Sequence, residues 1–233
     1  MELDVKGKRV YVTSDIHNDA SKFLRLLAEI DFSDGDILII DGDIFDRGWE
    51  ACELLKEVRK HDNILVLQGN HDAWLCNRIN DVYAGKKTGR YLKYESFELL
   101  KDIYSPEEML EIAEWITTRP LYINLTLDDG RRFQIAHAQT YDRPTMVTDP
   151  NWFYMGNNKY DEFLEGKGIP SDVISVIGHV PTPTGHIMKL ANKRLIRIDC
   201  GNGYREFDDE VRLGAIRLND MKEYYIENDK KDT

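Results

Sequence analysis

The feature of this 233-residue sequence that most restricts its fold is a set of short apolar runs, each closed by a residue type that binds metal. The run Ile37 to Ile40 breaks into Asp41, Gly42 and Asp43, then reaches Asp46 and Arg47. Runs of this length ended by Gly and Asp read as buried strands emptying into loops. Alone, an Asp- and Gly-rich stretch reads equally as a plain turn. The other runs weigh against that. Arg9–Ser14 ends in Asp15, Ile16, His17 and Asn18; Asn63–Leu67 ends in Gln68, Gly69, Asn70, His71 and Asp72. Phe133–Ala136 ends in His137, and Val173–Ile177 ends in Gly178 and His179. Of the six histidines, only His61 and His186 stand elsewhere. Ligands in α/β folds gather beyond the carboxyl ends of strands, so the pattern points to one shared metal site.

Between these runs the pattern is helical. Phe23, Leu26, Leu27 and Ile30 recur at helical spacing over 19–30, with Asp19 or Ser21 as the cap. Leu54, Leu55 and Val58 do the same over 49–60. Strand, helix, strand, helix, strand is the βαβ alternation of a parallel sheet. Residues 73–118 leave this rhythm as a charged helical insertion beside the site, its aromatics, among them Trp74, Tyr91, Tyr94 and Trp115, read as local core. From Pro120 onward the chain is strand-rich, with Asp129-Gly130 marking a hairpin. Residues 140–159 read as an irregular loop, and further strands are expected at 173–177, 185–190, 194–199, 211–218 and 223–226. The expected organisation is a single α/β domain over 1–233, its second half largely antiparallel, built as two packed sheets with helices outside.

Lys plus Arg is 31 and Asp plus Glu is 42, a net charge of −11. A nucleic-acid footprint would be basic, and anionic membranes are equally disfavoured, so neither partner is expected. The start MELDVKGKRV has no apolar signal region, and no run approaches a membrane span. Cys52, Cys76 and Cys200 lack the spacing of a disulfide framework or zinc knuckle. A reducing, cytoplasmic setting is expected; the oligomeric state is left open.

The residues at the strand ends can hold two divalent cations. Asp15 and His17 are two apart and share a face. Asp43 can bridge two ions with its two oxygens, and Asn70, His137 and His179 can complete the second. Mixed carboxylate, amide and imidazole ligands suit Mn, Fe or Zn better than Ca. Two such ions carry +4 against −2 from Asp15 and Asp43, leaving a positive site for a phosphate in an acidic protein. Paired metals roughly 3.5–4 Å apart can clamp a phosphoryl group and acidify a bridging water.

Asp15-Ile-His17, Gly42-Asp43-Ile-Phe-Asp46-Arg47-Gly48, Gly69-Asn70-His71-Asp72, His137 and Gly178-His179 together resemble the ordered motifs of calcineurin-like metallophosphoesterases. The GDxxDRG form looks like the serine/threonine phosphoprotein phosphatase branch, which also contains diadenosine tetraphosphate hydrolases. Asp199-Cys200-Gly201 is similar to the family's closing DTG segment. The resemblance implies a four-layer αββα sandwich with Asp15, His17, Asp43, Asn70, His137 and His179 as metal ligands. It implies His71 as general acid, Asp46 orienting it, and Arg47, with Asn70, on the substrate phosphate. The pattern departs at Asn18, where many members have Gly, and at Ala138-Gln139, where they have Gly-Gly. A second phosphate arginine between the last two histidines has Arg143 as its candidate. Asp72, in place of a common Glu, is expected to make an outer contact, and Asp41 to support His71 or its loop.

The expected activity is hydrolysis of phosphomonoesters, phosphoprotein or small, through a hydroxide bridging two metals. A bis(5'-nucleosyl)-tetraphosphatase-type hydrolase is the alternative, with Tyr141, Trp152 and Phe153 as candidate base-stacking residues. A phosphodiesterase and a non-catalytic scaffold follow behind.

Overall fold

Ile37, Leu38, Ile39 and Ile40 are all buried, because their strand is covered on both faces. The protein, seen in a computed structural model, is described for residues 1–86, 96–139, 150–156, 165–206, 208 and 210–228. The first half runs β1 (Glu2–Leu3), β2 (Arg9–Thr13), α1 (Ala20–Glu29), β3 (Asp36–Ile40), α2 (Ala51–Lys60) and β4 (Ile64–Val66). Three helices follow, α3 (Asn70–Tyr83), α4 (Ser96–Leu100) and α5 (Pro106–Thr117). Then come β5 (Ile123–Thr126), β6 (Arg132–Ile135), α6 (Pro150–Met155), β7 (Val173–Ile177), β8 (Met188–Leu190), β9 (Leu195–Arg197), β10 (Arg212–Arg217) and β11 (Lys222–Glu227).

Two sheets form. The five-stranded sheet has the order β11-β10-β2-β3-β4, and the six-stranded sheet β1-β5-β6-β7-β9-β8. β2, β3 and β4 are parallel neighbours joined through α1 and α2, the βαβ rhythm legible in the sequence. The expectation of a largely antiparallel second half needs correction. β5–β6 and β8–β9 are antiparallel, but β6–β7 and β7–β9 are parallel. Parallel neighbours need long crossovers, and the segments 136–172 and 178–194 supply them. Within the stretch read as an irregular loop, Pro150–Met155 is helical.

Side chains alternate across each strand, and the core divides accordingly. Val10, Val12, Ile37 and Ile39 face the six-stranded sheet and meet Ile123, Leu125, Phe133, Ile135, Val176 and Ile196. Tyr11, Leu38 and Ile40 face the other way and pack beneath Phe23 and Leu26 of α1, Leu54 and Leu55 of α2, and Ile112 and Ile116 of α5. Each fully buried Leu, Ile or Phe contributes roughly 1.5–3 kcal/mol, so both interfaces hold the sandwich. On the outer face of the six-stranded sheet, the described residues form a smaller cluster of Ile169, Val173, Ile177 and Leu195.

The helix starts are written in the sequence. Asp19 Oδ1 accepts the Lys22 backbone N–H at 3.0 Å and caps α1. Ser105 and Glu108 form a reciprocal capping box on α5, with Pro106 at its first position. Parallel β2, β3 and β4 in one sheet and β6 and β7 in the other end at one edge of the sandwich. The loops leaving that edge carry Asp15, Asp43, Asn70, His137 and His179.

Candidate active site

Asp43 stands at the centre. His137 Nε2 lies 3.2 Å from Asp43 Oδ2 and His17 Nε2 lies 3.9 Å from the same oxygen. Asp15 Oδ1 is 3.8 Å from His17 Nε2. Ligand atoms of Asp43, His137 and His179 fall within 4.8 Å of one another, as do those of His17, Asp43 and His71. Asp15, His17, Asp43, His71, His137 and His179, picked from separate strand ends in the sequence, therefore converge. Arg143 lies outside the described residues, as do Tyr91, Tyr94, Tyr141 and the side chains of Trp152 and Phe153.

The tautomers are set by the second ring nitrogens. His17 Nδ1 donates to the Phe45 carbonyl at 2.8 Å, and His137 Nδ1 donates to the Asp41 carbonyl at 2.7 Å. His17 Nε2 is then a lone pair, whereas His137 Nε2 faces Asp43 Oδ2 at 3.2 Å and carries the proton that a cation would replace. His17 Nε2 and Asn70 Oδ1 are buried without a hydrogen-bond partner. Leaving a buried polar group unmade costs about 1–3 kcal/mol, so these two acceptors beside carboxylates suit a bound cation. His71 differs from the other histidines. Its Nδ1 donates to Asp46 Oδ2 at 2.9 Å, and its Nε2 lies 3.1 Å from Arg47 Nη2. A guanidinium has no acceptor, so Arg47 donates to a neutral His71 ring here.

Backbone shape aims these groups. Asp15, His17, Asn18, Asp43, Asp46, Arg47 and His179 all have positive φ, between 51° and 68°. Each such non-glycine costs on the order of 1 kcal/mol, and the loops hold them with hydrogen bonds. Asp72 accepts from the backbone N–H groups of Gly69 (2.8 Å), Asp43 (2.9 Å) and Ile44 (3.1 Å), the outer contact expected of it. Asp43 Oδ1 accepts from His71 N at 2.9 Å. Asp15 Oδ2 accepts from His179 N at 3.0 Å and from the Ser14 hydroxyl. A Cβ on Gly178 would lie 2.5 Å from Asp15 Oδ2, and one on Gly69 would lie 2.9 Å from Asp43 Cγ. Only glycine lets these loops approach so closely.

Electrostatics fit a cation pocket. Burial pushes the Asp15 carboxyl up to about 7 and Asp41 up to about 8. Burial pulls His17 well down, and burial with the charge of His137 takes His179 to about 4. Burial also opposes charge on Asp43 and His137, but their mutual attraction wins: Asp43 sits well below the carboxylate range and His137 well above the imidazole range. A cation would replace those protons.

Several groups escaped sequence reasoning. Asp41 was expected to support His71 or its loop; its carbonyl accepts from His137 Nδ1 and from the Ser14 hydroxyl. Trp74 was assigned to local core, yet it is 38% exposed and its ring meets His71 edge to face at 4.7 Å. Its place three residues beyond His71 was the available signal. Tyr204, 41% exposed, carries the Arg47 guanidinium 4.6 Å over its ring. It follows the Asp199-Cys200-Gly201 segment, whose loop brings Gly203 against His17 and Arg47.

Comparison with known proteins agrees with this geometry. A model of the calcineurin-like phosphoesterase family matches residues 8–213. Curated relatives include a symmetrical bis(5'-nucleosyl)-tetraphosphatase of Buchnera aphidicola subsp. Baizongia pistaciae, 24% identical over 172 residues, covering 71% of this chain and 58% of the relative. The enzyme of the same name from Chromobacterium violaceum is 24% identical over 162 residues, covering 66% and 53%. The chain thus spans little more than half the length of these relatives. Among solved structures, one described as a putative diadenosine tetraphosphatase superposes with a TM-score of 0.72 at 15% identity, covering 99% of this chain and 98% of that one. A Saccharomyces cerevisiae serine/threonine phosphatase superposes at 0.63 and 14%, covering 97% and 81%. At such identities the structures speak for the fold alone.

Proposed function

This chain belongs to the calcineurin-like phosphoesterase family, and on that premise we propose that it is a dinuclear metal-dependent hydrolase of bis(5'-nucleosyl) polyphosphates. The observation that carries the metal reading is the convergence on Asp43 of buried, unpartnered His17 Nε2 and Asn70 Oδ1 with His137 and His179, whose ligand atoms lie within 4.8 Å of it. Asp15, His17 and Asp43 would hold one ion; Asp43, Asn70, His137 and His179 would hold the other. Mn, Fe or Zn suits this donor set. When bound, such a pair supplies Lewis acidity to phosphoryl oxygens and lowers the pKa of a coordinated water.

The chain's own groups do the rest. Arg47 offers a planar fork to two phosphate oxygens. An arriving phosphate draws the guanidinium off His71 Nε2, which frees that nitrogen to carry a proton. Water adds to phosphorus as the bridging P–O bond breaks, and His71 gives its Nε2 proton to the departing oxygen. Asp46 on Nδ1 fixes the orientation of the ring.

The sequence ranked phosphomonoesters ahead of dinucleoside polyphosphates, and the relatives reverse that order for the proposal. Tyr204 supports it further. Its exposed ring flanks the phosphate arginine, and nucleobases stack on such surfaces for about 1–3 kcal/mol. A cleft of about 340 Å³ bounded by Tyr204, Pro181, Pro183 and Val211 opens beside it. Phosphomonoester hydrolysis remains the second reading, favoured by the GDxxDRG motif around Asp43 and Arg47. Mn-loaded protein tests the choice against diadenosine tetraphosphate, a phosphopeptide and an aryl phosphate. At least tenfold higher kcat/KM on the dinucleotide is expected. A phosphopeptide or aryl phosphate preferred by that margin would overturn the substrate assignment, and no turnover of any would overturn the enzymatic one.

A further inference from the structure

Ser96 opens α4 in the inserted helical region, far from every motif of the site, yet its side chain is fully buried against the His71–Asp46 pair. Its Oγ accepts the Asp46 backbone N–H at 2.7 Å, and its own backbone N–H donates to Asp46 Oδ1 at 2.8 Å. Asp46 therefore has one oxygen held by Ser96 and the other, Oδ2, left to His71 Nδ1 at 2.9 Å. Asp46 is at φ 66°, a left-handed conformation that needs such fixing. The opposite side of the hydroxyl is closed by Asn18, whose Nδ2 donates to Ser96 Oγ at 2.9 Å and to the Gly48 carbonyl at 3.2 Å. Asn18 is the position where the motif departs from Gly. Its amide spans from the loop after β2 to the loop after β3, and the Ser96 hydroxyl is the junction.

We infer that the Ser96 hydroxyl, with Asn18 behind it, is a positioning group that fixes the Asp46 backbone, and through it the orientation in which the Asp46 carboxylate aims His71 at the leaving oxygen. The inserted helices thereby complete the proton-donating corner of the site. This rests on the proposed role of His71 as acid, so its test separates the two. A residue acting through the acid matters most when the leaving group is poor.

Ser96→Ala should lower kcat on phenyl phosphate roughly tenfold, the effect of one buried hydrogen bond, and leave 2,4-dinitrophenyl phosphate nearly untouched. KM and bound metal should not change. In a His71→Asn background Ser96→Ala should have no further effect. By NMR, the His71 Nδ1 proton should exchange with water faster in Ser96→Ala than in the parent. Equal losses on both aryl phosphates, loss of metal, or effects that multiply with His71→Asn would overturn the inference. If the parent hydrolyses no phosphoester, the functional reading fails, and an Nδ1 proton equally protected in both proteins rejects the role of Ser96 separately. Asn18→Gly, which removes the same junction from the other side, should reproduce the pattern if Ser96→Ala does not fold.

Discussion

His71 and Asp43 share one pocket and are assigned different duties, which substitution should separate. His71→Asn removes the proton donor without touching a proposed ligand. kcat should fall by roughly 10²–10⁴ while metal content stays at the parent's value; unchanged turnover would remove His71 from the chemistry. The identity of these residues was legible because each closes an apolar run, and side-chain type there reports directly on metal chemistry. Their aim was not. The positive φ of Asp15, His17, Asp43, Asp46 and His179 is imposed by hydrogen bonds from distant loops, and single-chain propensity carries no record of them. Asp41 shows the same limit. Its acidic side chain drew attention in the sequence, whereas its carbonyl, which every residue possesses, is what orients His137.

At the scale of elements, Asp72 in the first turn of α3 ties the loop after β4 to the loop after β3. Its carboxylate accepts three backbone N–H groups. Asp72→Ala would strand those donors in a buried setting, at about 1–3 kcal/mol each and less than additively. The expected outcome is a loss of about 3 kcal/mol of unfolding free energy in urea, with weaker metal binding because Asp43 loses its backbone anchor. A loss below about 1 kcal/mol would mean that the loops do not depend on this clasp. Helices α1, α2 and α5 and strands β2, β3 and β4 were readable from periodicity and caps. The parallel pairing of β6, β7 and β9 was not, since the choice of a distant strand as neighbour leaves no periodic signature. The start of α3 at Asn70 places two site residues inside a helix that the sequence began beyond them.

For the whole molecule, the buried charges make stability depend on pH in a direction that metal should reverse. Without metal, Asp15 (about 7), Asp41 (about 8) and Asp72 (about 7) are raised by burial. His137 is also raised, by Asp43 and Asp15 against the pull of burial. The folded protein then holds protons the unfolded chain has released, so stability falls as pH rises. His17 and His179 are lowered and act oppositely, but only below about 6.5, the ordinary imidazole value. Between pH 6.5 and 8.5 the metal-free protein should therefore lose melting temperature, and Asp41→Asn should flatten the slope. A melting temperature that rises over this window would contradict the protonation pattern. Among the described residues no helix is long and apolar enough to cross a membrane.

The account stands on two cations sharing Asp43, and counting ions tests it most directly. Metal-free protein loaded with Mn²⁺ and passed through a desalting column should retain two ions per chain by elemental analysis, and Asp43→Asn should retain at most one. A parent that retains none, or an Asp43→Asn variant that keeps both, would contradict it.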